Sequence, residues 1–221
     1  MSGHCCSSNV RFEGLSPAYR RALLAVIAIN GAMFVTELAG SAAAGSQALQ
    51  ADSLDFLGDT MTYAISLAVI GKSIRVRSLA AIAKGISLSL MAAFVFGATL
   101  WRVLYLGVPS ASIMGGIGTL ALAANLASVL ILLKYRDGDA NVRSVWLCSR
   151  NDAIGNLVVV AAAGGVFATR TGWPDVMVAG LMAGLFLWSS VSILRQAIEE
   201  WKSADVALEP ALPEQGAGHG R

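Results

Sequence analysis

The sequence predicts an all-α membrane protein of six transmembrane helices, and three observations carry that prediction. Hydrophobic residues make up 56% of the 221 and charged residues only 14%, too little polar surface for an ordinary soluble domain. Apolar stretches of about 20 residues, long enough to cross a bilayer as helix, occur six times. Basic residues gather on alternate connections between those stretches, as they do when a chain crosses a membrane an even number of times.

The spans fall at about 20–43, 48–71, 79–106, 113–133, 142–168 and 174–198. The first follows a long polar segment and contains Asn30 and Glu37, which separates it from a cleavable signal peptide. Spans two and five carry acidic groups, and the others are nearly free of them. The connections GSQAL, KSIRVRS, GVPSAS, KYRDGDAN and TRTGWPD are too short to be domains. An apolar span must satisfy its own backbone hydrogen bonds, so each is expected to be helical. The chain then divides into an amino-terminal tail (1–19), a six-helix transmembrane domain (20–200) and a short disordered tail (201–221).

Orientation follows from the basic residues. Arg11, Arg20 and Arg21 precede span one. Lys72, Arg75 and Arg77 lie between two and three, and Lys134, Arg136 and Arg143 between four and five. Arg195, Lys202 and Arg221 follow the apolar part of span six. The opposite side holds only Arg102 and Arg170, so both termini are expected in the cytoplasm. The net charge of +2 contains no basic tract of the kind that binds nucleic acid. Three cysteines, two of them adjacent, give no disulfide framework.

Against this background the stretch DSLDFLGD (52–59) places three carboxylates inside a membrane helix, where a charge at the bilayer centre costs roughly 3 kcal/mol or more. Asp55 and Asp59 are four apart and share a helix face, with Asp52 one turn earlier. At a rise of about 1.5 Å per residue, Asp55 and Asp59 lie on the order of 10 to 17 Å from the start of span two. In span five, VRSVWLCSRNDAIGN, Cys148 and Asp152 are again four apart and lie on the order of 9 to 15 Å from its opposite end. Two such pairs meeting at one depth supply three carboxylates and a thiol, a tetrahedral donor set suited to Zn²⁺. The sulfur turns preference toward softer ions and away from Mg²⁺ or Ca²⁺. A divalent cation, or protons in its place, neutralises the intramembrane charge. The rival readings are that the Asp pair is a structural hydrogen-bonding device or pairs with Lys84 or Arg150, and that Cys148 is a small buried hydrophobe. Asp52 is either a ligand or a residue placed near the helix start.

Over residues 22–200 the chain resembles the cation diffusion facilitator family of divalent-metal/proton antiporters. The resemblance rests on Asn30 and Glu37 in span one, on SQALQADSLDFLGD, and on Asn125 in span four. It continues through NVRSVWL with the ligand positions Cys148 and Asp152, and through Pro174 and Asp175 opening span six. It implies that Asp55, Asp59 and Asp152 are transport-site ligands and that the protein exports Zn²⁺, Cd²⁺ or Co²⁺ against protons. It also implies an integral position in the plasma membrane of a bacterium. Two departures stand out. The family usually has His where this chain has Cys148. The family also continues into a cytoplasmic metal-binding domain, whereas only WKSADVALEPALPEQGAGHGR follows here, too short to bury a core.

A homodimer would therefore form through membrane helices, with Gly180 and Gly184 as a small-residue contact. Asn30, Glu37 and Asn125 either line the pathway or fix helix packing through interhelical hydrogen bonds. In MSGHCCSS, the residues His4, Cys5 and Cys6 either capture a thiophilic metal or belong to a plain disordered tail. No prosthetic cofactor is expected, the metal being cargo. Nothing indicates an enzyme, since no nucleotide-binding loop and no nucleophile paired with a base occurs. Two other classes compete with the antiporter: a proton-coupled carrier of another small solute, and a metal-binding sensor or assembly subunit without turnover.

Overall fold

The computed structural model describes residues 16–68, 74–105, 107–136 and 140–206. His4, Cys5 and Cys6 lie outside the described residues. The protein is an all-α polytopic membrane protein with one helix for each expected span. These are α1 (Pro17–Ala44), α2 (Gln47–Ala68), α3 (Ile74–Leu104), α4 (Ala111–Leu132), α5 (Ala140–Thr169) and α6 (Trp173–Val206).

Helix ends depart from the apolar boundaries for local reasons. Ser16 caps α1, its hydroxyl accepting from the Tyr19 N–H at 3.1 Å, with Pro17 in the first turn, so α1 starts ahead of its apolar run. At 34 residues α6 would reach about 51 Å, well past a hydrocarbon core of about 30 Å. It therefore absorbs residues 201–206 of the expected disordered tail, a stretch without proline or glycine. Hydropathy reports where lipid ends and not where the backbone stops being helical.

Five stretches are long and apolar enough to cross a membrane: Pro17–Ala44, Ser78–Leu104, Ala111–Tyr135, Cys148–Thr169 and Trp173–Glu199. The acidic α2 is not among them, and its packing compensates, because it touches all five other helices. α1, α2, α4 and α5 form a four-helix group in which α1 packs on α2 and α4, while α5 packs on α4 and α2. α3 pairs along its length with α6, and both lean on α2. That pair meets closely at Gly85, where an added Cβ would fall 2.6 Å from Leu194 Cγ. There the Ser190 hydroxyl donates to the Gly85 carbonyl at 2.8 Å and also hydrogen-bonds with Ser89. Large apolar side chains such as Leu90, Phe94, Leu100, Leu130 and Trp188 point outward, as suits a lipid-facing surface. Gly180 and Gly184 face open space.

Two apolar clusters occupy opposite ends of the bundle. One, near the α1–α2, α3–α4 and α5–α6 connections, contains Ala48, Leu49, Val95, Met114, Val166 and Phe186. The other, near the ends of the helices at the opposite side, contains Tyr19, Leu23, Tyr63, Leu132, Tyr135 and Val145. The acidic residues of α2 and α5 lie between them.

The first of these ends is tied together by polar contacts. Gly45 closes α1 at φ 65°, the left-handed region that glycine enters without steric cost. Its carbonyl accepts from Arg102 Nη2 of α3 at 2.8 Å, and the neighbouring Ala44 carbonyl accepts from the Ser110 N–H at 2.9 Å. Asp175, in the first turn of α6, is buried against the start of α2. It accepts from the Ser46 hydroxyl at 2.6 Å and from the N–H groups of Gln47 and Ala48 at 2.8 and 2.9 Å. The Ser46 hydroxyl in turn accepts from the Leu49 N–H at 3.1 Å. The first three N–H groups of α2, orphans in any helix, are thus all satisfied without water.

Candidate functional site

α2 and α5 run antiparallel, and their polar stripes face one another in register. From the connection end inward, Asp52 meets Asn156, Asp55 and Asp59 meet Asp152, and Tyr63 meets Ser149. The Asp152 carboxyl lies within hydrogen-bonding reach of those of both Asp55 and Asp59. Its Oδ2 is buried without a hydrogen-bond partner. Asp59 accepts a hydrogen bond from the Tyr63 hydroxyl, which also lies 3.4 Å from Ser149 Oγ. Cys148 packs against the apolar cluster that contains Tyr63 and is close enough to Asp55 and Asp59 to interact with their charges. Asp55, Asp59 and Asp152 thus lie beside one another, with Cys148 adjoining them. Among the described residues, however, no three His, Cys, Asp or Glu side chains close to metal-holding distance.

All four of these side chains are half-buried. Tyr63 is fully buried, its ring in the apolar cluster toward the chain termini and its hydroxyl in the chamber. One positive charge enters from the α3 side. Lys84 donates to the Ser66 hydroxyl at 3.0 Å and interacts electrostatically with Asp59 and Cys148. Arg150 turns away, as its place between Cys148 and Asp152 predicts. It is exposed, bonded to Asn151 at 3.2 Å and stacked over Trp146.

The accessory residues separate from this chamber. Asp52 is 1% exposed and accepts from Asn156 Nδ2 at 2.7 Å, and Asn156 Oδ1 accepts from Asn125 Nδ2 at 2.8 Å. Glu37, 0% exposed, stands beside Asp52 on the α1 side. Asn30 bonds back to the Val26 carbonyl of its own helix at 3.1 Å. Sequence reasoning missed Tyr63, Ser149 and Asn156 as polar partners. Two of them were signalled, because Tyr63 stands four residues beyond Asp59 and Asn156 four beyond Asp152, each continuing its stripe by one turn.

Comparison with known proteins adds two findings. Residues 23–200 match the family described as the cation efflux transmembrane domain. Among curated proteins, a zinc transporter, ZitB of Pectobacterium atrosepticum, is 27% identical over 194 residues, an alignment covering 80% of this chain and 60% of that protein.

Proposed function

From the premise that the chain belongs to the cation efflux family, we propose that it is a secondary transporter that exports divalent transition-metal cations, Zn²⁺ foremost, in exchange for protons. The observation that carries the reading is the approach of Asp152 on α5 to Asp55 and Asp59 on α2, amid helices apolar enough to cross a membrane. Carboxylates gathered in a low-dielectric site need positive charge, and a divalent cation or protons supply it interchangeably. That interchange is the chemical basis of antiport. Asp55, Asp59 and Asp152 would donate oxygens and Cys148 a sulfur. The zinc named for the relative fits such a donor set. Export is the direction that the cation efflux family suggests, and the distribution of Lys and Arg supports a cytoplasmic position for both termini.

Tyr63 and its apolar neighbours lie on the chain-terminal side of these acidic groups, and Ala48, Leu49 and Met114 lie on the connection side. Transport requires these two apolar layers to open in turn. α2 and α5 carry opposing halves of the chamber, so a cation drawing them together can favour one arrangement over the other.

The test is flux in proteoliposomes with an imposed pH gradient, comparing Zn²⁺, Cd²⁺ and Mn²⁺. Gradient-driven Zn²⁺ and Cd²⁺ movement is expected. Binding without flux would identify a metal sensor. Neither binding nor flux would assign the acidic stripe to another solute. In the same assay, Cys148→Ser is expected to lower Cd²⁺ flux about tenfold and to leave Mn²⁺ nearly unchanged, because thiolate favours soft ions and hydroxyl does not. Equal effects on both ions would remove the thiol from the ligand set.

A further inference from the structure

Glu37 and Asp52 form a polar centre apart from the chamber. Each helix of the four-helix group contributes one residue: Glu37 from α1, Asp52 from α2, Asn125 from α4 and Asn156 from α5. All four are within 2% of complete burial. The amides form a directed relay, Asn125 Nδ2 donating to Asn156 Oδ1 and Asn156 Nδ2 donating to Asp52 Oδ2. Every donor therefore points toward Asp52. On its other side stands the Glu37 carboxyl, in hydrogen-bonding reach of Asp52, yet among the described residues no donor bonds to either Glu37 oxygen. Two carboxyl groups meeting edge to edge make a hydrogen bond only if one of them carries a proton.

We infer that Glu37 and Asp52 are an intramembrane proton site, holding a single proton between them and distinct from the chamber of Asp55, Asp59 and Asp152. A metal ion fits poorly there, because Asn156 presents an N–H to Asp52 and full burial leaves no room for a hydrated cation. The charged groups acting on the pair are each other and Asp55, and Asn156 supplies the neutral donor. Among the described residues, the groups acting on either carboxyl include no lysine or arginine. The proton thus does for this centre what a counter-ion would otherwise have to do.

The role of that proton rests on the transporter reading. Asp55 lies one turn from Asp52, so a divalent cation arriving beside Asp55 adds positive charge near the pair and favours its release as H⁺. The balance is simple: the acid–carboxylate pair becomes two carboxylates, the proton leaves to water, and the cation supplies the lost charge.

Two readouts on the detergent-solubilised full chain test this. The first is the infrared carbonyl band of a protonated buried carboxyl in wild type and in Glu37→Gln, whose amide keeps the shape and can donate to Asp52. The second is the number of protons released on adding Zn²⁺. The band is expected in wild type and weakened by one carboxyl's intensity in Glu37→Gln, with proton release falling by about one per Zn²⁺ bound. A wild type lacking the band, or a variant keeping its full intensity, overturns the site. Correct bands with unchanged proton release overturn its coupling to metal. If wild type binds no Zn²⁺, the transporter reading falls, while the band still decides the proton site. Should Glu37→Gln fail to fold, Asp52→Asn serves in its place with the same expected loss.

Discussion

Asp59→Ala is expected to bring Zn²⁺ and Cd²⁺ flux in proteoliposomes to the level of protein-free vesicles, a loss of more than about a hundredfold. That exceeds the roughly ten- to hundredfold typical of losing an outer-shell partner, because Asp59 occupies the centre of the arrangement. It faces Asp152 on α5, accepts from Tyr63 and interacts with Lys84. Alanine removes one of the three negative charges that would hold a cation and leaves Lys84 closer to balancing those that remain. Folding should survive, since Asp59 is half-buried and the like charges of Asp55 and Asp152 lose a repulsive neighbour. Asp59→Asn separates charge from shape. It preserves a partner for the Tyr63 hydroxyl and is expected to lose flux as fully as alanine. Retained flux in Asp59→Asn would mean that the carboxylate charge is not what binds the cargo.

The second large effect concerns stability. Asp175→Ala is expected to destabilise the bundle by about 2–4 kcal/mol, since buried donors left without an acceptor lose about 1–3 kcal/mol each and rearrangement recovers part of it. The Asp175 carboxylate takes bonds from the Ser46 hydroxyl and from two N–H groups at the start of α2. Ser46 remains as a cap for Leu49, so α2 itself persists while its attachment to α6 is lost. Asp175→Asn should be nearly as damaging, because an amide offers one acceptor oxygen where the carboxylate uses two. The measurement is the heat-induced loss of the monodisperse peak of detergent-solubilised protein. An unchanged midpoint in Asp175→Ala would show that Ser46 and neighbouring packing hold α2 without the clamp. The clamp also bears on function, because it fixes one end of the helix that carries Asp52, Asp55 and Asp59.

Much of this was legible in the sequence. Hydrophobicity in runs of about 20 residues is a local property, and it marked all six helices within a few positions. Helical periodicity is also local, so the four-residue spacing of Asp55 with Asp59 and of Cys148 with Asp152 was enough to draw two facing stripes. Less could be read at the boundaries. α6 outruns its apolar core because helix formers such as Ala, Glu and Lys continue the backbone pattern into water. The acidic α2 departs from the other helices because its polarity is tolerated only inside the bundle.

What the sequence by itself determined, then, was the number of helices and the residues that share a face. What only the tertiary structure decided was their partners. Asp152 went to Asp55 and Asp59, Asn156 went to Asp52, and Glu37 came across from α1 to make a second acidic centre. A slide of α5 along α2 by one turn, about 5.4 Å, would leave every stripe intact and yet set Asp52 opposite Asp152. Nothing local forbids that slide. The register is fixed by the hydrogen bond from Asn156 to Asp52 and by the packing of Val159, Ala163 and Val166 of α5 in one cluster with Leu49 of α2, all of which join residues far apart in the chain.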